Sequence, residues 1–203
     1  MSDSLERRKL ARAAAHLAAH NGLAAPPLVL MTDDARLADP LTAASALPRG
    51  SMVVVRARDA ARRAALAKAL AKLSRGLIIL VAEDEALATS CGADGLHLPE
   101  SRLGEAAHQR ARHPAWLITT SAHSLAALGK AMRLPIDAVF LSPVFITQSH
   151  PGGAALTCVR ANLIARAARL PVYALGGVTA RNAGLLARSF AGIAAIGALD
   201  VQS

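Results

Sequence analysis

The run Pro171-Val172-Tyr173-Ala174-Leu175-Gly176-Gly177-Val178 carries an apolar, β-branched stretch straight into paired glycines, and a helical pattern begins around 179–182. That order reads as strand, tight turn, helix. Glycine has no Cβ, so its backbone N–H groups are left bare where a phosphate can approach. A second junction follows at Gly192-Ile193-Ala194-Ala195-Ile196-Gly197-Ala198. Two neighbouring strand ends with glycine turns point to one phosphate pocket between the last two strands of a barrel. The competing reading is that these glycines only make turns.

The junctions need a frame, and the chain alternates along most of its length. Residues 4–20 place Leu5, Leu10, Ala13 and Leu17 at helical spacing, with Asn21-Gly22 as the stop. Strands are then expected at 28–32, 52–56, 77–81, 94–98, 116–120, 138–141, 172–175 and 192–196. Helices are expected at 60–73, 84–91, 103–112, 124–132, 158–169 and 180–188, with a brief one between the first two strands, where Pro40 and Pro48 intervene. Short, fully apolar strands with helices between them mean a parallel sheet covered by helices. Eight such units give an α/β fold, a (βα)8 TIM barrel forming one domain over residues 1–203. The chain runs only seven residues past Ile196, so the last outer helix is expected to be missing or very short. The N-terminal helix is expected to fill its groove between the last and first strands.

In such a barrel the reactive groups sit at the C-terminal ends of the strands. In chain order these are Thr32, Asp33 and Asp34; Arg56 and Arg58; Glu83, Asp84 and Glu85; His97 and Glu100; Ser121 and His123; Ser142, Thr147, Ser149 and His150; Gly176 and Gly177; and Gly197. His97 lies within a strand and is expected to point into a core layer. Asp94 is expected to fix the turn before its strand through its side chain. Thr32 and Asp33 are candidates for holding a heterocycle, and Asp33 or Asp34 alternatively caps the following helix.

Composition narrows the class. Apolar residues make up 53% of the 203, which is ample for a core, and the formal net charge is +9. The arginines are scattered over helical segments with no block of five basic residues, so nucleic acid is not the expected partner. Their charge reads as solvated helix faces with some attraction for anionic small molecules. Cys91 and Cys158 have no metal-type spacing and read as small buried apolar residues of a reducing compartment. With no signal-peptide pattern and no apolar run of about 18 residues, the expected location is the cytoplasm.

Four motifs occur in order: Gly92-Ala93-Asp94-Gly95-Leu96-His97-Leu98, Ser121-Ala122-His123-Ser124, 137–145 (Asp-Ala-Val-Phe-Leu-Ser-Pro-Val-Phe) and Ala174-Leu175-Gly176-Gly177-Val178. Together, across residues 28–200, they resemble the thiamine-phosphate synthase and TenI family of thiamin-biosynthesis barrels. The resemblance implies a barrel, expected as a homodimer, that binds a thiazole phosphate. The synthases couple that thiazole to a pyrimidine pyrophosphate using Mg2+. The TenI branch instead isomerises a thiazole carboxylate phosphate to its aromatic tautomer without a metal.

The residues separating the two chemistries diverge from the synthase pattern. The family's second strand has Gln-x-Arg-x-Lys; here Arg56 is kept, Arg58 replaces the Lys and the Gln is lost. The Asn-Asp pair after the third strand corresponds to Ala82-Glu83, with Asp84 beside it. The second metal-binding Asp corresponds to Arg102, a cation that cannot ligate Mg2+. A synthase would have to recruit Glu83, Asp84 and Glu100 instead. The thiazole-phosphate half is better kept. The Thr-x-Thr-Lys pattern corresponds to Thr147-Gln148-Ser149-His150, and Gly176, Gly177, Gly197 and Ala198 supply bare backbone. Ser121 joins this substrate set. His123 matches the tautomerases' key histidine and is the candidate proton carrier; alternatively it caps the next helix or bonds the rim. The leading expectation is metal-free tautomerase chemistry with no cofactor. The alternatives are a divergent Mg2+-dependent synthase and a non-catalytic phosphate-binding barrel.

Overall fold

Eight short apolar strands have no room for a solvent-facing side, so they close on themselves and take helices outside. The computed structural model describes residues 2–21, 25–73, 76–147 and 155–201. In it β1 (Leu28–Met31), β2 (Met52–Val55), β3 (Ile78–Ala82), β4 (Gly95–Leu98), β5 (Leu117–Ala122), β6 (Ala138–Leu141), β7 (Val172–Ala174) and β8 (Gly192–Ala195) form a closed barrel. All neighbours are parallel, and β8 returns to pair with β1. One alternate set of side chains, including Val29, Met31, Val54, Leu80, Phe140 and Tyr173, fills the barrel interior. The other set, including Leu30, Val53, Val55, Val81 and Val139, lies in the layer beneath the helices.

The outer layer is α1 (Ser2–Asn21), α2 (Pro40–Ser45), α3 (Ala60–Lys72), α4 (Glu85–Cys91), α5 (Ala106–Arg112), α6 (Leu125–Ala131) and α7 (Cys158–Arg166). Side chains of Asp39, Asp59, Asp84, Ser124 and Thr157 cap five of these by accepting a backbone N–H of the first turn. The helix after β1 is therefore capped by Asp39, not by Asp33 or Asp34. Asp94 acts across strands and not within its own turn as expected: its carboxylate accepts the Ile79 N–H at 2.7 Å and ties β3 to the start of β4.

Helix α1 packs against β1, β8 and the single 3₁₀ turn Gly197–Leu199 that follows β8. Its buried face is Leu10, Ala14 and Leu17, and Arg7 Nη1 donates to the Asp200 carbonyl at 3.0 Å. Leu5, expected on that face, is 54% exposed, and Ala13 is half-buried.

Three expected helices are shorter, α7 by ending at Arg166 and not at 169. Over 180–188 only a 3₁₀ turn forms, Ala183–Leu185. Gly184 weakens the helix, the Asn182 side chain ties itself to the Thr179 N–H and the Gly177 carbonyl, and Asn162 of α7 takes the Ala187 N–H. The segment after β4 starts as a 3₁₀ helix, Glu100–Glu105, and becomes α5 only after Gly104. Cys91 and Cys158 are half-buried and not core residues. Among the described residues no helix is long and apolar enough to cross a membrane.

Candidate functional site

The two glycine junctions meet. Gly176, Gly177, Gly197 and Ala198 line one cavity of about 350 Å³ with Thr147, Thr179 and Arg36. The segment after β6 folds over the end of β7: Val144 N–H donates to the Leu175 carbonyl and Phe145 N–H to that of Gly176. This contact gives the glycines a second reason to be glycine. Gly176 and Gly177 have φ of +90° and +65°, and a Cβ on Gly177 would lie 2.5 Å from the Ile146 carbonyl oxygen. Among the described residues, no acceptor takes the N–H groups of Gly176, Gly177, Gly197 or Ala198. Ser149 and His150, expected at this pocket, lie outside the described residues.

Arg36 escaped the sequence reading. It sits in the loop after β1, where only the Asp33-x-x-Arg36 spacing hints at it. Its guanidinium forks onto Asp33, with Nε–Oδ1 at 3.2 Å and Nη2–Oδ2 at 2.7 Å. Arg56 reaches the same carboxylate at 3.2 Å. The Arg36 guanidinium, with the Ala35 N–H and the Arg56 charge, holds the Asp33 carboxyl below the usual range despite partial burial. Asp33 is thus a bracket for two cations, not a free ligand for a heterocycle. Thr32 is buried and occupied: its Oγ1 accepts the Arg56 N–H at 2.8 Å and donates to the Arg56 carbonyl at 2.9 Å. Arg58 is exposed, and its backbone N–H donates to Asp34 at 2.8 Å; its side chain does not line the glycine cavity.

His123 stands exposed after β5. Its Nδ1 lies 2.8 Å from the Ser142 carbonyl oxygen, which can only accept, so in the neutral ring the proton is on Nδ1 and the lone pair on Nε2. Its backbone N–H donates to the Glu100 carboxylate at 3.1 Å. Ser124, one residue on, caps α6. His123 does not line the glycine cavity; Ser142 begins the segment that does, through Ile146 and Thr147. His97 points into the barrel and is 4% exposed, its ring edge-on to Phe140. Ser121 lies 3.1 Å from its Nε2.

Glu83 and Asp84 face away, in a polar outer groove of about 790 Å³ shared with Arg63, Arg102, Glu105 and His108. Asp84 accepts the Leu87 N–H at 2.9 Å and faces Arg63 at 3.5 Å. Arg102 forks onto Glu105 at 2.6 and 2.7 Å and donates to the Glu83 carbonyl at 2.8 Å.

Residues 28–199 match the family model described as thiamine monophosphate synthase. The chain belongs to that family. It is 33% identical over 182 residues to the thiamine-phosphate synthase of Chlorobium luteolum, covering 86% of this chain and 85% of that one. It is 34% identical over 170 residues to the Bordetella bronchiseptica enzyme of the same name, covering 77% and 78%. Alignments to relatives from Aquifex aeolicus and Methanoculleus marisnigri span only 59% and 60% of those proteins. The fold is shared with a thiamine phosphate pyrophosphorylase from Pyrococcus furiosus, with a TM-score of 0.68 at 22% identity over 86% of this chain and 89% of that one.

The Mg2+ that the family's coupling chemistry implies needs several hard anionic oxygens facing one point. The candidate ligands here are spent elsewhere: Asp84 on a helix cap and Arg63, Glu100 on the His123 backbone. The guanidinium of Arg102 lies against the Glu83 carbonyl. Among the described residues no three His, Cys, Asp or Glu side chains gather to hold a metal. These residues do not fit a divalent cation.

Proposed function

We propose that this member of the thiamine-phosphate synthase family binds a thiazole phosphate and isomerises a thiazole carboxylate phosphate through His123, in the manner of the TenI branch. The observation that carries the reading is the convergence of Thr147, Gly176, Gly177, Gly197 and Ala198 on one cavity beside Arg36, while Asp84 is engaged by a helix cap and Arg63 and Glu100 by the His123 backbone. Bare N–H groups and a guanidinium suit a dianionic ester head. The tautomerisation moves one proton and neither gains nor loses atoms or electrons. The Nε2 lone pair of His123 takes the proton from one ring atom, and the resulting imidazolium returns it to another. The Ser142 carbonyl keeps accepting from Nδ1–H throughout and holds the ring in orientation.

The names of the relatives favour a second reading, coupling of the thiazole phosphate to a pyrimidine pyrophosphate. One experiment separates the two. Thiazole carboxylate phosphate is incubated with the protein with and without EDTA, beside His123→Asn. The proposal expects isomerisation that survives chelation and is lost in the variant. No rate enhancement, or one abolished by EDTA, rejects it; Mg2+-dependent coupling of the two precursors would establish the synthase instead.

A further inference from the structure

Inside the barrel three polar side chains hydrogen-bond to one another, from Thr119, which also lines a cavity at the N-terminal end, up to Ser121 toward the C-terminal mouth. Thr119 and Ser121 alternate along β5 on the inward face, and His97 stands opposite Thr119 in the register of β4 with β5. His97 Nδ1 is 3.0 Å from Thr119 Oγ1, and Nε2 is 3.1 Å from Ser121 Oγ. Thr119 is 1% exposed and His97 4%, whereas Ser121 is half-buried.

We propose that His97 is a positioning residue: wired to Thr119 on one side and Ser121 on the other, it leaves the Ser121 hydroxyl proton free to donate toward the mouth of the barrel, which favours an acceptor as the ligand atom facing Ser121.

The direction follows from counting protons. A neutral imidazole donates through one nitrogen and accepts through the other. If Nδ1 carries the proton, it donates to Thr119, Ser121 donates to Nε2, and the Thr119 O–H is left buried. Among the described residues Thr119 Oγ1 meets no acceptor but Nδ1. That arrangement leaves the Thr119 hydroxyl, 1% exposed, without a protein acceptor for its proton. If Nε2 carries the proton, Thr119 donates to Nδ1, Nε2–H donates to Ser121, and the remaining proton belongs to Ser121 at the half-open end. Every buried group is then paired. Burial keeps the ring neutral, helped by the Arg56 charge, with its pKa pushed down to about 3. Ser121 thereby presents a free proton before any ligand arrives, which favours an oxygen or bare ring nitrogen at that point, while one of its two lone pairs is taken by Nε2–H.

The inference depends on the proposed reaction only for which ligand Ser121 meets, so its test has two arms. In the first, ¹⁵N-labelled histidine in the intact protein reports the tautomer by two-bond ¹H–¹⁵N correlation at pH 7, with His97→Gln used to assign the signal. The Nε2–H form is expected in the wild type and, because Thr119 sets it, also in Ser121→Ala. An Nδ1–H ring in the wild type, or a switch of tautomer in Ser121→Ala, overturns the relay. In the second arm, turnover of thiazole carboxylate phosphate is measured. Ser121→Ala and Thr119→Val should raise KM about tenfold, as loss of one oriented hydrogen bond does, with kcat within about twofold and Thr119→Ser restoring KM. An unchanged KM in Ser121→Ala overturns the donor role. A wild-type protein that does not turn over refutes the proposed reaction, and the ring spectrum then decides the relay alone.

Discussion

Acid should weaken this barrel through a single buried imidazole. His97 is 4% exposed among Leu80, Phe140 and other interior side chains, with hydroxyls on both nitrogens. Burial, and secondarily the Arg56 cation, pushes its pKa from the ordinary 6.5 down to about 3. In the unfolded chain it returns to the ordinary value. Between those limits the unfolded state binds the extra proton, so stability is undiminished above about pH 6.5 and falls as the pH drops toward 3. The full interval corresponds to about 5 kcal/mol and the step from pH 7 to pH 5 to about 2 kcal/mol. His97→Gln keeps a donor and an acceptor but cannot titrate. Urea unfolding of both proteins at pH 7 and pH 5, followed by far-UV circular dichroism, isolates the effect because the carboxylates are common to both. The wild type should lose about 2 kcal/mol more than the variant on going to pH 5. Equal losses would show that His97 is not held neutral by burial, and the reasoning would fail.

Thr32→Val should cost about 1–3 kcal/mol in urea titrations, because the buried Thr32 hydroxyl serves the partly buried N–H and carbonyl of Arg56 at once. Gly177→Ala should destabilise by about 1–3 kcal/mol, since its φ is +65° and the new methyl meets the Ile146 carbonyl. Leu10→Ala should cost about 2–5 kcal/mol, and removal of residues 1–22 should lower the melting temperature steeply; an unchanged melting curve would refute the role of α1 as the cover over β1 and β8. Arg36→Ala should weaken binding of inorganic phosphate about tenfold by calorimetry, whereas Arg58→Ala, whose side chain lies off the cavity, should leave it unchanged.

The barrel itself was legible because its signal is local. Each strand is a short apolar run and each boundary carries a turn or cap residue, so alternation alone yields eight units. The pairing of the two glycine junctions was also readable, since consecutive strands in a parallel barrel are neighbours. What escaped depends on partners distant in sequence. Asp84 reads equally as a metal ligand and as a helix cap, and only the Leu87 N–H and the Arg63 side chain decide between them. Thr32 looks like a rim hydroxyl until β2 arrives beside it and consumes both its proton and its lone pair. Residues 180–188 have helical composition, yet the donor a helix would use at Ala187 is claimed by Asn162 of α7. Arg36 belongs to a segment whose sequence shows only a short connection, and it reaches the cavity because the loops after β1 and β8 lie side by side, with its carbonyl oxygen 3.9 Å from where a Cβ on Gly197 would stand.

The most direct test of the account is a crystal structure of the protein soaked with thiazole carboxylate phosphate. The account predicts the phosphate seated on the N–H groups at 176–177 and 197–198 with Arg36 alongside, and the heterocycle extending toward His123. A phosphate bound in the outer groove beside Arg102, or a niche left empty at saturating ligand, would contradict it.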